Sequence, residues 1–444
     1  MFDIIFSDLI RKIEIGIPIS MTFTEWLMAH FQNLTIDEIM KDESLSRLQS
    51  EDEYWYKLRR GCVTSSMASK FLSVCTRPSL PSKCEQFNFG FKLQKQFSHI
   101  LKPEPSPPPR KNFYNGQFGL ENENTVKILL EKIVVPGLYE SGYLEGEDVN
   151  VDVGFVRSQT LNFIGSSPDA IQGELFSKKS SSKTLIEIKC LMDVFVENLA
   201  TPIDEVSVFS LLDKHLTLDF FRKEKKFFSC KTLPRKGHSA FVSYFNHGKQ
   251  LSAIIVEFTT TQSARVEIER ITELSPGKLI ACPYHPYAIQ VAIQSFTVVN
   301  CSKGYLCVPI FSRQKIRNQT IDDTCEMTFS RYQFPIKALI FVPVALNFDY
   351  VNDIVNGIKK NFSLLYFLSL CEDLISREKA EDFSTAANTL ARLFKKDEDQ
   401  SLIYLHPLKV SRSLNTKSLP QKKLFRGVTF DAMHEMDELS ENPQ

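Results

Sequence analysis

The strongest concentration of chemically useful side chains lies between Gly165 and Cys190. This segment reads GSSPDAI, then a Ser- and Lys-rich loop, then TLIEIKC. Successive side chains of a strand point to opposite faces, so Glu187 and Lys189 are predicted to project together, away from the apolar residues of the strand. With Asp169, this pair supplies two carboxylates and an ammonium, which are groups that hold a hard divalent metal and an activated water.

Phosphodiester hydrolysis is a reaction that such groups serve well. It needs charge stabilisation at phosphorus, a nucleophilic water at neutral pH and neutralisation of the departing oxygen. Because Mg²⁺ prefers oxygen ligands and keeps several waters, Asp169, Glu187 and the backbone carbonyl of Ile188 form a sufficient set for Mg²⁺ or Mn²⁺. Lys189 would orient the water or offset phosphate charge. Taken alone, however, Glu-x-Lys is common in strands, and an ordinary solvated face explains it better.

The composition is typical of a folded protein with more than one structural unit. The chain has 444 residues, 43% of them hydrophobic, which exceeds what one compact core usually holds. Its formal net charge is zero, so any contact with nucleic acid must rest on local clusters. The ten cysteines include no CxxC pair, and we interpret them as reduced thiols of an intracellular protein, with the nucleus left open. No apolar run reaches membrane-spanning length.

Hydrophobic periodicity predicts the elements that surround these groups. Helical spacing runs through residues 20–60, and a further helix is predicted within 116–137, ended by Pro136 and Gly137. Three strand-like segments follow up to Cys190. The Pro-rich segment 102–112 is predicted to be a linker or surface loop, since each proline lacks a backbone donor.

The predicted organisation has three parts. These are a helical region at 1–53, a nuclease-type domain at 54–377 with an insertion at 191–284, and a polar, partly disordered tail at 378–444. The insertion is expected to contain a helix near 204–228 and a pair of alternating strands. Its basic run, 221–238, interleaves lysine and arginine with phenylalanine. That run could grip a nucleic-acid backbone, although a charged helix face followed by a loop explains it nearly as well.

The order of these motifs resembles that of the PD-(D/E)XK nucleases, and specifically the lambda-exonuclease or YqaJ-type viral recombinase branch. In that family a helix reads Gly, three residues, Glu, two residues and a small residue, and Gly119, Glu123 and Val126 fill those places. The family's aspartate after Ser-Pro corresponds to Asp169, and its strand pair to the EIK tripeptide. The resemblance implies an α/β restriction-endonuclease-like core, in which a mixed central β-sheet is flanked by helices.

Two further segments extend the resemblance. The family's Arg-x-Gly-x-(Ile/Val)-Thr-x-Ser segment corresponds to residues 59–66, and in relatives the arginine and serine help to bind the 5′ phosphate of a DNA end. The family's His-x-Tyr start and glutamine helix correspond to residues 285–294. The substrate-binding residues implied are Arg59, Thr64, Ser66 and Gln294. The catalytic residues implied are Glu123, Asp169, Glu187, Lys189 and Gln290.

The implied activity is metal-dependent hydrolysis of double-stranded DNA from a free 5′ end, and the implied partners are DNA and further copies of the chain, because relatives can form rings. Two departures qualify it. Ala292 replaces the middle one of three glutamines, and the stretch between Cys190 and His285 is longer than in most relatives. Two alternatives therefore stay open: a catalytically impaired DNA-binding or scaffold protein of the same fold, and a structure-specific endonuclease.

Overall fold

A computed structural model describes most of the chain outside its two ends. Apart from the isolated residue 11, the described ranges are 23–31, 33–73, 96–97, 100–101, 114–176, 183–215, 241–242, 252–261, 264–275, 279–281, 285–299, 301–346 and 348–378. The Pro-rich segment 102–112, the basic run 221–238 and the tail after residue 378 lie outside these residues. Their predicted structures stay predictions.

Helices make up the N-terminal part and flank the rest of the fold. In chain order they are α1 Phe23–His30, α2 Ile36–Leu45, α3 Glu53–Arg59, α4 Ser65–Ser73, α5 Tyr114–Leu129, α6 Val135–Glu140, α7 Glu205–His215, α8 Pro286–Thr297 and α9 Phe348–Glu378. Polar caps fix several of their starts. Thr35 and Glu38 form a reciprocal capping box at α2, and Asp52 accepts from the Tyr54 N–H at α3.

The strands are mostly short. They are β1 Val63–Thr64, β2 Val149–Asn150, β3 Val156–Arg157, β4 Ile164–Ser166, β5 Ala170–Gln172, β6 Lys183–Ile188, β7 Phe195–Val196, β8 Phe241–Val242, β9 Ile254–Thr260, β10 Val266–Glu273, β11 Ile280–Ala281, β12 Cys301–Ser312, β13 Asn318–Asp322, β14 Cys325–Thr328 and β15 Ile336–Pro343. The three strands predicted before Cys190 are thus several shorter pieces, separated by turns.

An eight-stranded mixed sheet forms the centre of the fold. Its order is β10-β9-β15-β12-β6-β5-β2, with β7 also paired to β12. The long strand β12 runs parallel to β6 and antiparallel to β15, so it joins the two halves of the sheet. The helix α8 directly precedes β12 in the chain, and its Gln290 and Gln294 contact Glu187 of β6.

Helices cover both faces of this sheet. On one face, Val126 and Leu130 of the α5–α6 region pack against Ile186 and Ile188 of β6. On the other face, α7 and α8 pack against alternate residues of β12 and β15, including Leu306. Each fully buried side chain of this size contributes about 1.5–3 kcal/mol. The predicted α/β class, with a mixed central sheet flanked by helices, is confirmed.

The prediction that Pro136 and Gly137 end the helix that begins as α5 is wrong. Helical backbone continues from Leu129 through a π-helical turn at Leu130–Val134 into α6, which ends at Glu140. Pro136 lies in the first turn of α6, where a missing N–H leaves no hydrogen bond unmade. Because the π turn precedes α6, the helical backbone continues past a proline that would otherwise end a regular helix.

Two strands from the stretch expected to be an insertion belong to the central sheet. β9 and β10 pair antiparallel, as their alternating residues predicted, and β9 also pairs with β15. The buried Glu257 of β9 pairs with Arg270 of β10 and lies 3.6 Å from Lys337 of β15. The division of the chain into three parts stays a prediction. Within the described residues, no helix is long and apolar enough to cross a membrane.

A smaller sheet joins the N-terminal part to the GSSPD motif. Its order is β1-β4-β3, and β1 runs parallel to β4 with Thr64 opposite Gly165. Gly165 is required here because a Cβ at this position would lie 2.3 Å from the Phe155 ring. The pairing brings residues 59–66 beside the turn that carries Asp169.

Replacing Gly165 by alanine is expected to lower the free energy of unfolding by about 1–3 kcal/mol, because the aromatic ring has to move. Gly116→Ala is the matched control. Gly116 is exposed on α5, where a Cβ would meet nothing within 4 Å, so alanine should be neutral or stabilise by up to about 1 kcal/mol. Denaturant unfolding followed by circular dichroism measures both. Equal stabilities of the two variants would contradict the packing argument.

Candidate active site

A buried carboxylate, Glu187 on β6, lies at the centre of the site. Its side chain is 1% exposed. One oxygen accepts from the Lys189 ammonium and the Gln290 amide, and the other accepts from Gln294 Nε2 at 2.6 Å. A buried carboxylate without partners would be strongly destabilising, so these donors compensate its charge and fix its position.

The two amides come from α8. Gln290 and Gln294 are four residues apart, which places them on one face of the helix, and Ala292 points elsewhere and is fully buried. His285 caps the helix by accepting from the Tyr287 N–H. Burial, and then the nearby Lys189 charge, lower the pKa of His285 to about 3, so this imidazole is neutral.

Lys189 is held as a cation. Its Nζ pairs with Glu187 and lies 5.2 Å from the centroid of the Tyr287 ring. Burial opposes the charge, but the carboxylates of Glu187 and Asp169 raise the pKa of Lys189 above its usual value. At neutral pH this side chain can donate hydrogen bonds and offset negative charge, but it cannot accept a proton.

Asp169 follows Pro168 in the turn between β4 and β5. Its Oδ2 accepts from the Ile188 N–H at 2.7 Å, which ties the turn to β6 beside Glu187. Burial first, and then the Glu187 charge, raise the pKa of Asp169 to about 7. A bound cation would relieve this unfavourable placement of negative charge.

Glu123 on α5 faces the same region and has a partner that the sequence argument missed. Its Oε1 lies 3.0 Å from Nζ of Lys127, one helical turn further on. Burial and the Asp169 charge raise the pKa of Glu123. Burial alone would lower the pKa of Lys127, but the charges of Glu123 and Asp169 outweigh it and raise that pKa. The i,i+4 spacing of Glu123 and Lys127 is the signal that could have found this lysine.

The donor set is compatible with a divalent metal that keeps most of its waters. The two carboxylates of Asp169 and Glu187 are hard oxygen ligands, and Mg²⁺ is commonly bound through one or two carboxylates. Among the residues that the structure describes, no group of three or more His, Cys, Asp or Glu side chains is arranged to hold a metal. Any ion here would therefore depend on a small protein share completed by water or substrate.

The arginine segment lies next to this site. The Arg59 guanidinium stacks on Trp55 at 3.9 Å from the ring centroid, and burial lowers the pKa of Arg59 to about 10. No carboxylate in the described part of the chain forms an ion pair with it. The hydroxyls of Thr64 and Ser66 are 3.2 Å apart just after this arginine. A guanidinium without a carboxylate partner and a helix start with hydroxyls are each suited to binding an anion.

The predicted residues thus fall into two neighbouring groups. Five catalytic candidates converge near the C-terminal end of β6: Glu123, Asp169, Glu187, Lys189 and Gln290. Gln294, expected to contact substrate, is fully buried beneath Glu187, and Thr64 is buried while Ser66 is exposed. Their individual roles stay predictions.

Comparison with known proteins agrees with the resemblance read from the motifs. Residues 24–195 match the viral alkaline exonuclease family. This exonuclease match contains the arginine segment, Glu123, Asp169 and the β6 pair, and it ends before α8. A relative, the shutoff alkaline exonuclease of Alcelaphine herpesvirus 1 (strain C500), is 30% identical over 156 residues, 33% of this chain and 26% of the relative. The chain thus matches about a quarter of that exonuclease.

Solved structures of SOX complexes are also similar at low identity. A SOX–DNA complex is 18% identical with a TM-score of 0.46, covering 75% of this chain and 71% of that one. A SOX–RNA complex of KSHV is 16% identical with a TM-score of 0.47, covering 75% and 76% of the two chains.

Asp169→Asn is expected to stabilise the metal-free protein at alkaline pH. The pKa of Asp169 rises from 3.8 to about 7 on folding. Its favourable contribution to the free energy of unfolding is therefore fully present below pH 3.8 and is lost as the pH rises through about 7. Asparagine carries no charge, so at pH 9 in EDTA the variant should be about 1–3 kcal/mol more stable than the wild type. The gap should close near pH 4.

Thermal unfolding across this pH range measures the difference. Adding Mg²⁺ or Mn²⁺ should raise the Tm of the wild type and not that of the variant. Parallel pH dependence of the two proteins would refute the unfavourable burial of Asp169.

Proposed function

We propose that this chain is a divalent-metal-dependent deoxyribonuclease that degrades duplex DNA from a 5′ end. The observation that carries the proposal is the convergence of Asp169, Glu187 and Lys189 at the C-terminal end of β6, near an arginine suited to a phosphate. These groups come from separate motifs, and the raised pKa of Asp169 indicates a place where a cation is favoured. The viral alkaline exonuclease match supports the same reaction class.

Asp169, Glu187 and the Ile188 carbonyl would hold the metal, with Mg²⁺ or Mn²⁺ the ions that suit oxygen ligands. Bound there, such an ion supplies an activated water and neutralises charge on the scissile phosphate. Lys189 donates hydrogen bonds to the water or the phosphate, because it stays protonated. Gln290 holds Glu187 in place, and Glu123 would add negative charge near Asp169.

The Arg59 pocket would select the DNA end. Its guanidinium is stacked and has no carboxylate partner among the described residues, so its N–H groups would be suited to bidentate contact with a terminal phosphate. Ser66, exposed at the start of α4, adds a hydroxyl and a helix N-terminus. An exonuclease is favoured over a structure-specific endonuclease by this end-binding pocket.

Asp169→Asn and Lys189→Ala are each expected to reduce Mg²⁺-dependent release of nucleotides from linear, 5′-phosphorylated duplex DNA by about 100-fold or more. Lys132→Ala is the control, since that lysine is exposed and its ion pair is with its neighbour Glu131, away from the proposed site. Acid-soluble nucleotide release gives the rates. Activity unchanged by both site substitutions would remove the assignment.

Covalently closed circular duplex DNA is expected to resist digestion under conditions in which its linearised form is degraded, because an end-dependent enzyme needs a 5′ terminus. Cutting of closed circles would instead identify an endonuclease.

The scaffold alternative is favoured by one observation, that both oxygens of Glu187 already have a protein donor. It predicts DNA binding without cutting in Mg²⁺, Mn²⁺ or any other divalent ion.

A further inference from the structure

A single tryptophan connects the two halves of the site. The face of Trp55 stacks on the Arg59 guanidinium at 3.9 Å, and its Nε1–H donates to the Ser167 hydroxyl at 2.9 Å. Ser167 lies two residues before Asp169 in the GSSPD turn. One rigid ring therefore touches the group expected to bind an end phosphate and the turn that carries a metal-binding aspartate.

The backbone around this ring leaves little freedom elsewhere. Pro168 stiffens the connection from Ser167 to Asp169, and the Asp169 carboxylate is tied to β6 through the Ile188 N–H at 2.7 Å. On the other side, Trp55 and Arg59 lie four residues apart on α3, so the stack is internal to one helix. The indole hydrogen bond is consequently a direct side-chain link between α3 and the turn.

An ordinary structural contact would not need this combination. A half-buried indole N–H can be satisfied by solvent, and a guanidinium is usually fixed by a carboxylate. Here the indole bonds to the metal-site turn, and the aromatic stack holds an arginine that has no ion pair with any described carboxylate. We propose that Trp55 is a positioning residue that sets the distance between the 5′-phosphate pocket and the metal site. This inference rests on the proposed function.

The test compares 5′-phosphorylated with 5′-hydroxyl duplex DNA. Trp55→Phe keeps an aromatic stack but removes the N–H, and Ser167→Ala removes the same hydrogen bond from the other side. Each should lower the kcat/KM preference for the phosphorylated end by about five- to tenfold, and the double variant should lower it no further. Activity on 5′-hydroxyl DNA should be nearly unchanged, whereas a merely structural defect would lower both activities equally.

Tyr56→Phe is the matched control. The Tyr56 ring lies against Trp55, with centroids 4.9 Å apart, but it is partly exposed and its hydroxyl takes no part in the link to Ser167. This variant should keep the wild-type preference. If Trp55→Phe fails to fold, by circular dichroism, Ser167→Ala still tests the same bond.

Binding in Ca²⁺, an ion used here to suppress cleavage, separates this inference from the nuclease proposal. The ratio of Kd values for the two DNA ends should fall by the same factor in both single variants. An unchanged ratio, additive effects in the double variant, or a wild type with no preference for phosphorylated ends would overturn the inference even if digestion proceeds. Absence of digestion with the predicted shift in the Kd ratio would uphold the inference and remove the nuclease.

Discussion

Compensation of one buried carboxylate determines how the site is built. Glu187 is nearly inaccessible to solvent, and removing a partner from such a buried charge typically costs about 3–5 kcal/mol. Its partners come from its own strand, through Lys189, and from α8, through Gln290 and Gln294. The helix α8 must therefore pack over β6 with the face that carries Gln290 and Gln294 turned towards Glu187. Lys189 and the Asp169 turn lie beside the carboxylate held in this way.

Asp169 shows the opposite balance, and the contrast is informative. It receives one backbone N–H, and burial together with Glu187 raises its pKa to about 7. The fold thus satisfies one carboxylate fully and leaves its neighbour in an unfavourable environment. Such local destabilisation is characteristic of functional sites, where binding of a ligand rather than folding supplies the missing interaction.

Local patterns predicted the parts of the fold that local physics decides. Strand alternation placed Ile186 and Ile188 on the core face opposite Glu187, and the helix that the family resemblance implied at residues 285–294 is present as α8. The sequence did not disclose that a π turn would carry the helix past Pro136, since that depends on packing against the sheet. Nor could it place Trp55 beside Ser167, because this contact follows from β1 pairing with β4 across about a hundred residues.

The extent of the family match also bears on how the site is completed. The match ends at residue 195, yet the amides that hold Glu187 are on α8, and β12, one of the two strands paired with β6, also lies beyond it. Residues 24–195 contain every acidic candidate but leave Glu187 without two of its three donors. Because an uncompensated buried carboxylate would not keep its place, the chemistry of the matched segment depends on a helix and a strand that lie beyond it. Sequence in α8 can therefore vary only where it preserves Gln290 and Gln294 or supplies equivalent donors.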